Sequence, residues 1–384
     1  MDGKTKVIIA VVLSVSLLTL AIVMFIPFGD TEVAKDGHID EPVDADPVVP
    51  AEDDPVSEPS SYPDGIRYDA GSRTLISDSY SEWAITDELA AHIDKTVERF
   101  SGSSVTLDPG FYKVTVDGET FYVTVDGTES RTVSWAYRMG GEDHQVRVTY
   151  RIDISELSDV MMSSRELNSD PFLKFDDLSA LVYVDGTMRS IVSQLESEYA
   201  RIGGSPEDRQ AFADFIVSFA QLGIEYPSGP YVWTDDDGNP VTVEGVPKVS
   251  TDYEVWGRED YWANALETLH YGVGDCEDSA AVACSLLKAA GFRVAMVGLY
   301  GHVAASVELD GFTERELSDY RSVITTRDSL AEASGGSATG GHDGITYYAV
   351  DTVNGQMPVG YLTAGPLQTL GDMSPWGLSG FYPA

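Results

Sequence analysis

The chain has 384 residues, more than one average domain needs, and 43% of them are hydrophobic, enough for a sizeable buried core. It carries 63 acidic against 24 basic residues, a formal charge of −39, and only 8 of the bases are lysines. Phosphate binding needs a basic surface, so nucleic acid is excluded as a partner, and the acidic exterior suits a protein working in salty surroundings.

After a short cytoplasmic tail, residues 1–6, residues 7–28 form an uncharged stretch with Lys4 and Lys6 before it and Asp30 and Glu32 after it. About 20 apolar residues span a bilayer as a helix, and the basic flank should stay in the cytoplasm. A cleaved signal peptide is the rival reading. It would end in small residues, whereas Met24-Phe25-Ile26-Pro27-Phe28 is bulky, and no Cys follows for lipid attachment. The membrane is therefore expected as a partner through this helix, with the bulk of the chain outside. Residues 29–66 hold twelve Asp or Glu against the single Lys35, with prolines at 42, 47, 50, 55, 59 and 63. Such a segment buries too little apolar surface to offset its ordering entropy, and reads as an extended stalk.

Residues 67–160 read as a small β-rich domain. Thr86 as N-cap, followed by acids and apolar residues near helical spacing, predicts a helix over 86–100. Alternating runs at 111–116, 120–125, 132–138 and 146–152 predict strands. Asp117-Gly118 and Asp126-Gly127 act as turns of an antiparallel meander. The larger domain, 161–384, opens with predicted helices over 188–201 and 206–222, the second with Ser205 as cap and Pro206 at its first position. Residues 227–255 read as an irregular loop or hairpin. The run Asp235-Asp236-Asp237-Gly238-Asn239-Pro240 there resembles part of a calcium loop but lacks the glutamate at the twelfth position, so no metal site is expected. A helix over 276–290, ending at Gly291, should dock Ala280, Ala283 and Leu287 on strands at 293–299, 302–309 and 346–350. Residues 326–344, rich in Ser and Gly, read as a loop.

Chemistry concentrates at the start of that helix, in Gly272-Val273-Gly274-Asp275-Cys276-Glu277-Asp278. Unpaired N–H groups and the helix dipole at such a place favour a thiolate. Downstream, His302 opens one strand and Asp351 closes another. Cys, His and acid in this order supply a nucleophile, its base and the base's orienter. A protonated His302 should offset Glu277 and Asp278, which read as helix-start acids, and hold the thiol pKa down. Cys284 lies eight residues further along the same helix, about 12 Å at the usual rise. That is too far for a disulfide, which needs Cα atoms within about 7 Å, so Cys284 reads as a small buried residue. His144, His270 and His342 read as surface or packing residues.

The order Cys276, His302, Asp351, with the Gly-Asp-Cys-Glu-Asp core, resembles the transglutaminase-like superfamily, whose fold is related to that of papain-like cysteine proteases. Residues 215–221 followed by Tyr226, and Ala265-Leu266-Glu267-Thr268-Leu269, resemble the lead-in segments of its membrane-anchored archaeal and bacterial members. The resemblance covers roughly residues 145–365. It implies an α+β fold with a helical lead-in and an antiparallel sheet. It also implies Cys276 as nucleophile, His302 as general base and acid, Asp351 as orienter, and acyl transfer from an amide in a peptide or protein substrate, without a cofactor. Hydrolysis and cross-linking stay open. Gln221 is a candidate oxyanion donor, because related folds place a side-chain donor beside the Cys backbone N–H. Trp256, Tyr261 and Trp262 are candidates for the substrate groove. The competing reading is a non-catalytic surface scaffold or adhesion protein that keeps the fold.

Overall fold

A computed structural model describes residues 62–169, 178–227, 231–232, 240–243, 246–247, 249–250, 252–258, 260–299, 302–314, 346–353, 355–362 and 378–384. The expected tail, anchor and most of the stalk lie outside these residues, as do the loop at 326–344 and most of the acidic run at 235–240. Among the described residues no helix is long and apolar enough to cross a membrane.

The fold is α+β with antiparallel sheets. Strands β1 (Ile66–Asp69), β2 (Thr74–Asp87), β4 (Gly110–Val116) and β5 (Glu119–Val125) lie in that order, and β3 (Val97–Thr106) also pairs with β2. The expected helix over 86–100 is absent. Thr86 faces Val97 on one side and Lys113 on the other, and a single 3-10 turn at His92–Asp94 intervenes before β3. The reason is period-2 burial along β2, where Leu75, Ser81, Trp83 and Ile85 all point inward. Asp117 and Gly118, with φ of 50° and 90°, close the β4–β5 hairpin as expected of an Asp-Gly turn. Asp126-Gly127 instead carries the chain out of that sheet into β6 (Thr128–Met139). Among the described residues β6 pairs only with β7 (Glu142–Asp153), through a turn at Gly140-Gly141. Gly127 is there for room, since a Cβ would lie 2.4 Å from Pro109.

Helix α1 (Ile154–Leu167), absent from the sequence reading, starts where the Asp153 side chain accepts the Ser155 and Glu156 N–H groups. Helices α2 (Gly186–Arg201) and α3 (Arg209–Gly223) fall close to the expected spans. Asp208 caps α3, not Ser205, because its side chain reaches the Ala211 N–H at 3.2 Å. Two ribbons follow, β8 (Tyr231–Val232) with β11 (Val249–Ser250) around β9 (Thr242–Val243) with β10 (Val246–Pro247). Then come α4 (Tyr253–Trp256), α5 (Ala265–Tyr271) and α6 (Cys276–Ala289). The second main sheet runs β14 (Tyr347–Val350), β13 (His302–Glu308), β12 (Val294–Leu299), β15 (Leu378–Pro383), and α6 packs on it.

Residues 63–384 form one compact unit. Its core holds Phe111 of β4, Trp135 and Tyr137 of β6, Phe215 of α3, Leu287 of α6 and Val307 of β13 together. The boundary expected between 160 and 161 therefore runs through one core. Helix α3 is buried on every side from Phe212 to Gln221, between the β6–β7 ribbon and α6. Glu88 fastens the first sheet to α1, accepting from Lys95 Nζ at 2.9 Å and Arg165 Nη2 at 2.7 Å. Burial alone would raise its pKa, but the two cations outweigh it and hold the carboxyl below its ordinary range. A depressed folded pKa contributes stability above the unfolded value, lost as pH falls through the folded one. Glu88→Gln should then cost about 1–3 kcal/mol at pH 7, and the difference from wild type in denaturant unfolding should shrink below the carboxylate range. A cost unchanged down to acid pH would contradict the ion-pair account.

Helix α6 ends as expected at Gly291, with φ of 79°. A Cβ there would meet nothing within 4 Å, so only backbone strain opposes a side chain. Gly291→Val should cost about 1–3 kcal/mol in thermal or denaturant unfolding, and Gly291→Asn clearly less.

Candidate functional site

The site begins with α5. Asn264 and Glu267 form a capping box at its start, and Gly272 in the left-handed conformation ends it. Glu225 then pairs with Val273 in a parallel bridge, its N–H on Gly272 O at 2.9 Å and its carbonyl accepting from Gly274 N at 3.1 Å. This lays the segment carrying Tyr226 beside the turn into α6. Gly274 is required by close approach, since a Cβ would sit 2.6 Å from Asp278 Cβ and 2.9 Å from Thr268 Cγ2. Asp275 is the N-cap residue of α6 and Cys276 its first residue, half-buried and unpaired with another cysteine.

His302 opens β13 opposite Leu299, and Asp351 follows β14 directly, with Val350 paired to Ala305. The two antiparallel strands thus deliver base and acid to the same end of the sheet. His302 Nε2 lies 3.6 Å from Asp351 Oδ1; His302 is 8% exposed and Asp351 fully buried. The Val303 backbone N–H acts on the Cys276 sulfur, so α6 brings the thiol to the strand position next to His302. Cys276, His302 and Asp351 therefore share one region of the fold. The sulfur's hydrogen bond, however, goes to Glu277 Oε2 at 3.1 Å and not to His302.

Electrostatics run against the expected thiolate. Burial, then the charges of Glu277 and Asp275, push the Cys276 pKa well above that of an ordinary thiol, with the Val303 N–H working weakly the other way. The expectation of a depressed thiol pKa is corrected: the dipole of one helix start does not offset two neighbouring carboxylates in a dry setting. Glu277 and Asp278 lie in the first turn of α6, as expected of helix-start acids, but they are buried. They are 5% and 0% exposed, and burial followed by Asp275 raises both well above the carboxylate range. Asp278 Oδ1 accepts the Ala263 N–H at 2.8 Å, tying the approach to α5 onto α6.

Gln221 is not an oxyanion donor. Its Nε2 donates to the carbonyls of Asp351 at 2.7 Å and Met357 at 2.8 Å, and its Oε1 accepts from Met357 N at 3.2 Å. Its role is to hold the loop carrying Asp351 against α3. Tyr261 and Trp262 are not groove residues, being 3% and 6% exposed. The Tyr261 hydroxyl donates to the buried Glu267, and Trp262 N donates to Asn168 Oδ1. Trp256 is half-buried, stacked on Tyr261 with ring centroids 5.4 Å apart.

Cys284 is fully buried, its thiol on Ala295 O, and burial pushes its pKa up to about 12, as a small core residue should behave. His270 is a buried packing residue, set between Glu129 Oε1 at 2.6 Å and Leu89 O at 2.8 Å. His342 lies outside the described residues. The sequence reading missed Asp252 and Asp260, whose side-chain oxygens gather with those of Asp275, Glu277 and Asp278. Nothing in the local pattern around either one points there. Comparison of the chain with protein-family models, with curated proteins and with solved structures finds no match.

Proposed function

We propose that this chain is a membrane-anchored, extracytoplasmic cysteine enzyme of the transglutaminase-like type, acting on amide bonds by acyl transfer. The observation that carries the reading is Cys276 at the first turn of a buried helix, packed against the strand that presents His302, with buried Asp351 at 3.6 Å behind the imidazole. With Nε2 turned toward Asp351, Nδ1 is the nitrogen left to serve the sulfur. His302 takes the thiol proton, the sulfur attacks the amide carbonyl, and the imidazolium returns the proton to the departing amine. Water or a second amine then resolves the thioester, and N–H groups at the start of α6 stabilise the oxyanion. The anchor and stalk at 7–66 would hold this domain outside the cell, facing peptide or protein substrates.

One observation favours the second reading, a non-catalytic surface scaffold: the Cys276 thiol donates to Glu277 Oε2, and burial with the neighbouring acids keeps it protonated. In the enzyme this is the resting arrangement, relieved when substrate brings His302 onto the sulfur. Alkylation tests the raised thiol pKa, and acylation by peptide donors separates the two readings. A raised pKa lowers the thiolate fraction at every pH below it, so iodoacetamide should modify Cys276 at pH 7 more slowly than a free thiol of pKa about 8.5, with the rate still climbing past pH 9. Glu277→Gln should speed it. Peptide acyl donors should then acylate Cys276 in a His302-dependent way, and a resting thiol that no donor acylates leaves the scaffold reading in place.

A further inference from the structure

An oxyanion forming at Cys276 would arise beside Asp275 and Glu277, whose charges oppose it, so a side-chain donor there has much to offset. The side chains first expected to supply one are committed elsewhere. Gln221 Nε2 is taken up by the Asp351 and Met357 carbonyls, and Trp262 is buried. The Trp256 indole Nε1 has no hydrogen-bond partner, but it is buried out of a substrate's reach.

Tyr226 is differently placed. Helix α3 ends at Gly223, and Glu225 then bridges Val273. Two backbone hydrogen bonds, Glu225 N to Gly272 O at 2.9 Å and Gly274 N to Glu225 O at 3.1 Å, pin the residue before Tyr226 to the turn that leads into Cys276. Tyr226 is 41% exposed, so a ligand arriving at the half-buried sulfur can meet it. Its phenol lies within electrostatic reach of Cys276, Asp275, Glu277 and Asp252. Burial first, and then those charges, push its pKa well up, so the oxygen keeps its proton. No hydrogen bond among the described residues engages that hydroxyl. A neutral phenol O–H can donate to an anion, whereas the carboxylates around it can only accept.

We propose that the Tyr226 hydroxyl, together with backbone N–H groups at the first turn of α6, receives the oxyanion formed when Cys276 attacks an acyl carbonyl. The inference rests on the acyl-transfer reading and gives it a named side-chain donor. As the sulfur bonds to the carbonyl carbon, the π pair of the C=O bond moves onto oxygen. Tyr226 donates a hydrogen bond to that oxygen and keeps its own proton. The pair returns to the C=O bond as the bond to the leaving group breaks, and the leaving group takes its proton from His302.

The test measures single-turnover acylation of Cys276 by peptide acyl esters, using the full chain in detergent as wild type and as Tyr226→Phe, which keeps the ring. The acylation rate at saturating ester should fall about 10²–10³-fold, the usual loss for one oxyanion donor, with the half-saturating concentration little changed. Iodoacetamide forms no oxyanion, so its rate with Cys276 should stay within about 2-fold of wild type, which also reports an intact fold around the thiol. A peptide aldehyde, captured by the thiol as a tetrahedral adduct, should bind Tyr226→Phe at least about 10-fold more weakly. The inference is overturned, with the enzyme reading intact, if wild type is acylated and Tyr226→Phe matches it. It is overturned in the same way if only the half-saturating concentration rises, which would make Tyr226 a groove residue. A fall in alkylation in step with acylation also overturns it, by placing the effect on the thiol. A wild-type Cys276 that iodoacetamide modifies but no ester acylates overturns both readings.

Discussion

Cys276→Ala should reduce amide-bond turnover by roughly 10⁴–10⁶-fold, the scale seen when a nucleophile is removed from a cooperating triad. In the proposed enzyme the Cys276 sulfur forms the covalent intermediate, and the residual rate would come from substrate binding and oxyanion stabilisation alone. Cys284→Ala supplies the control. Cys284 is fully buried behind Ala295, so its loss should leave turnover intact and cost only a small cavity, about 1 kcal/mol. Turnover that survives Cys276→Ala would remove the thiol from the chemistry.

Phe215→Ala should cost about 3–5 kcal/mol of stability, near the top of the range for a single core truncation. Phe215 is fully buried in the middle of α3 and stacks on Tyr199 at 4.7 Å. It also meets Tyr137 edge-on at 4.9 Å and lies 6.4 Å from Trp135. Removing the ring leaves a cavity where α2, α3 and the β6–β7 ribbon converge, and three aromatic neighbours lose their partner at once. Because α3 also holds the Asp351 loop through Gln221, the same variant should lower catalysis before it unfolds. Denaturant unfolding checks the first effect. A cost below about 1.5 kcal/mol, the level of a tolerated volume-conserving swap, would mean the core closes around the gap.

The parts of the fold visible in the sequence are those whose determinants are local. Asp117-Gly118 with alternating neighbours became the β4–β5 hairpin, and Cys276 to Gly291 became one helix, because each signal sits within the element it specifies. The helix expected at 86–100 failed for the opposite reason. Thr86 and the acids after it imitate a helix start, while the partners that make the segment β2 and β3 lie ten and more residues away. Gln221 looked like a donor near the Cys. Its amide is taken up by carbonyls 130 and 136 residues downstream. Tyr261 and Trp262 looked like groove aromatics, but Tyr261 is tied down by Asp252 and Glu267 and Trp262 by Asn168 at the end of α1. Glu277 and Asp278 have the same local pattern whether a helix start faces water or a packed segment. Only Asp252 and residues 261–263, folded over them, decide which.

The most direct measurement incubates the protein with a panel of peptide acyl esters, quenches at timed intervals and maps the adduct by mass. Acylation should fall on Cys276, disappear in Cys276→Ala, and form at least about 100-fold more slowly in His302→Ala, the lower end of what a positioned general base contributes. Acylation of Cys276 at the same rate with and without His302, or none with any donor, would contradict a Cys276–His302–Asp351 enzyme.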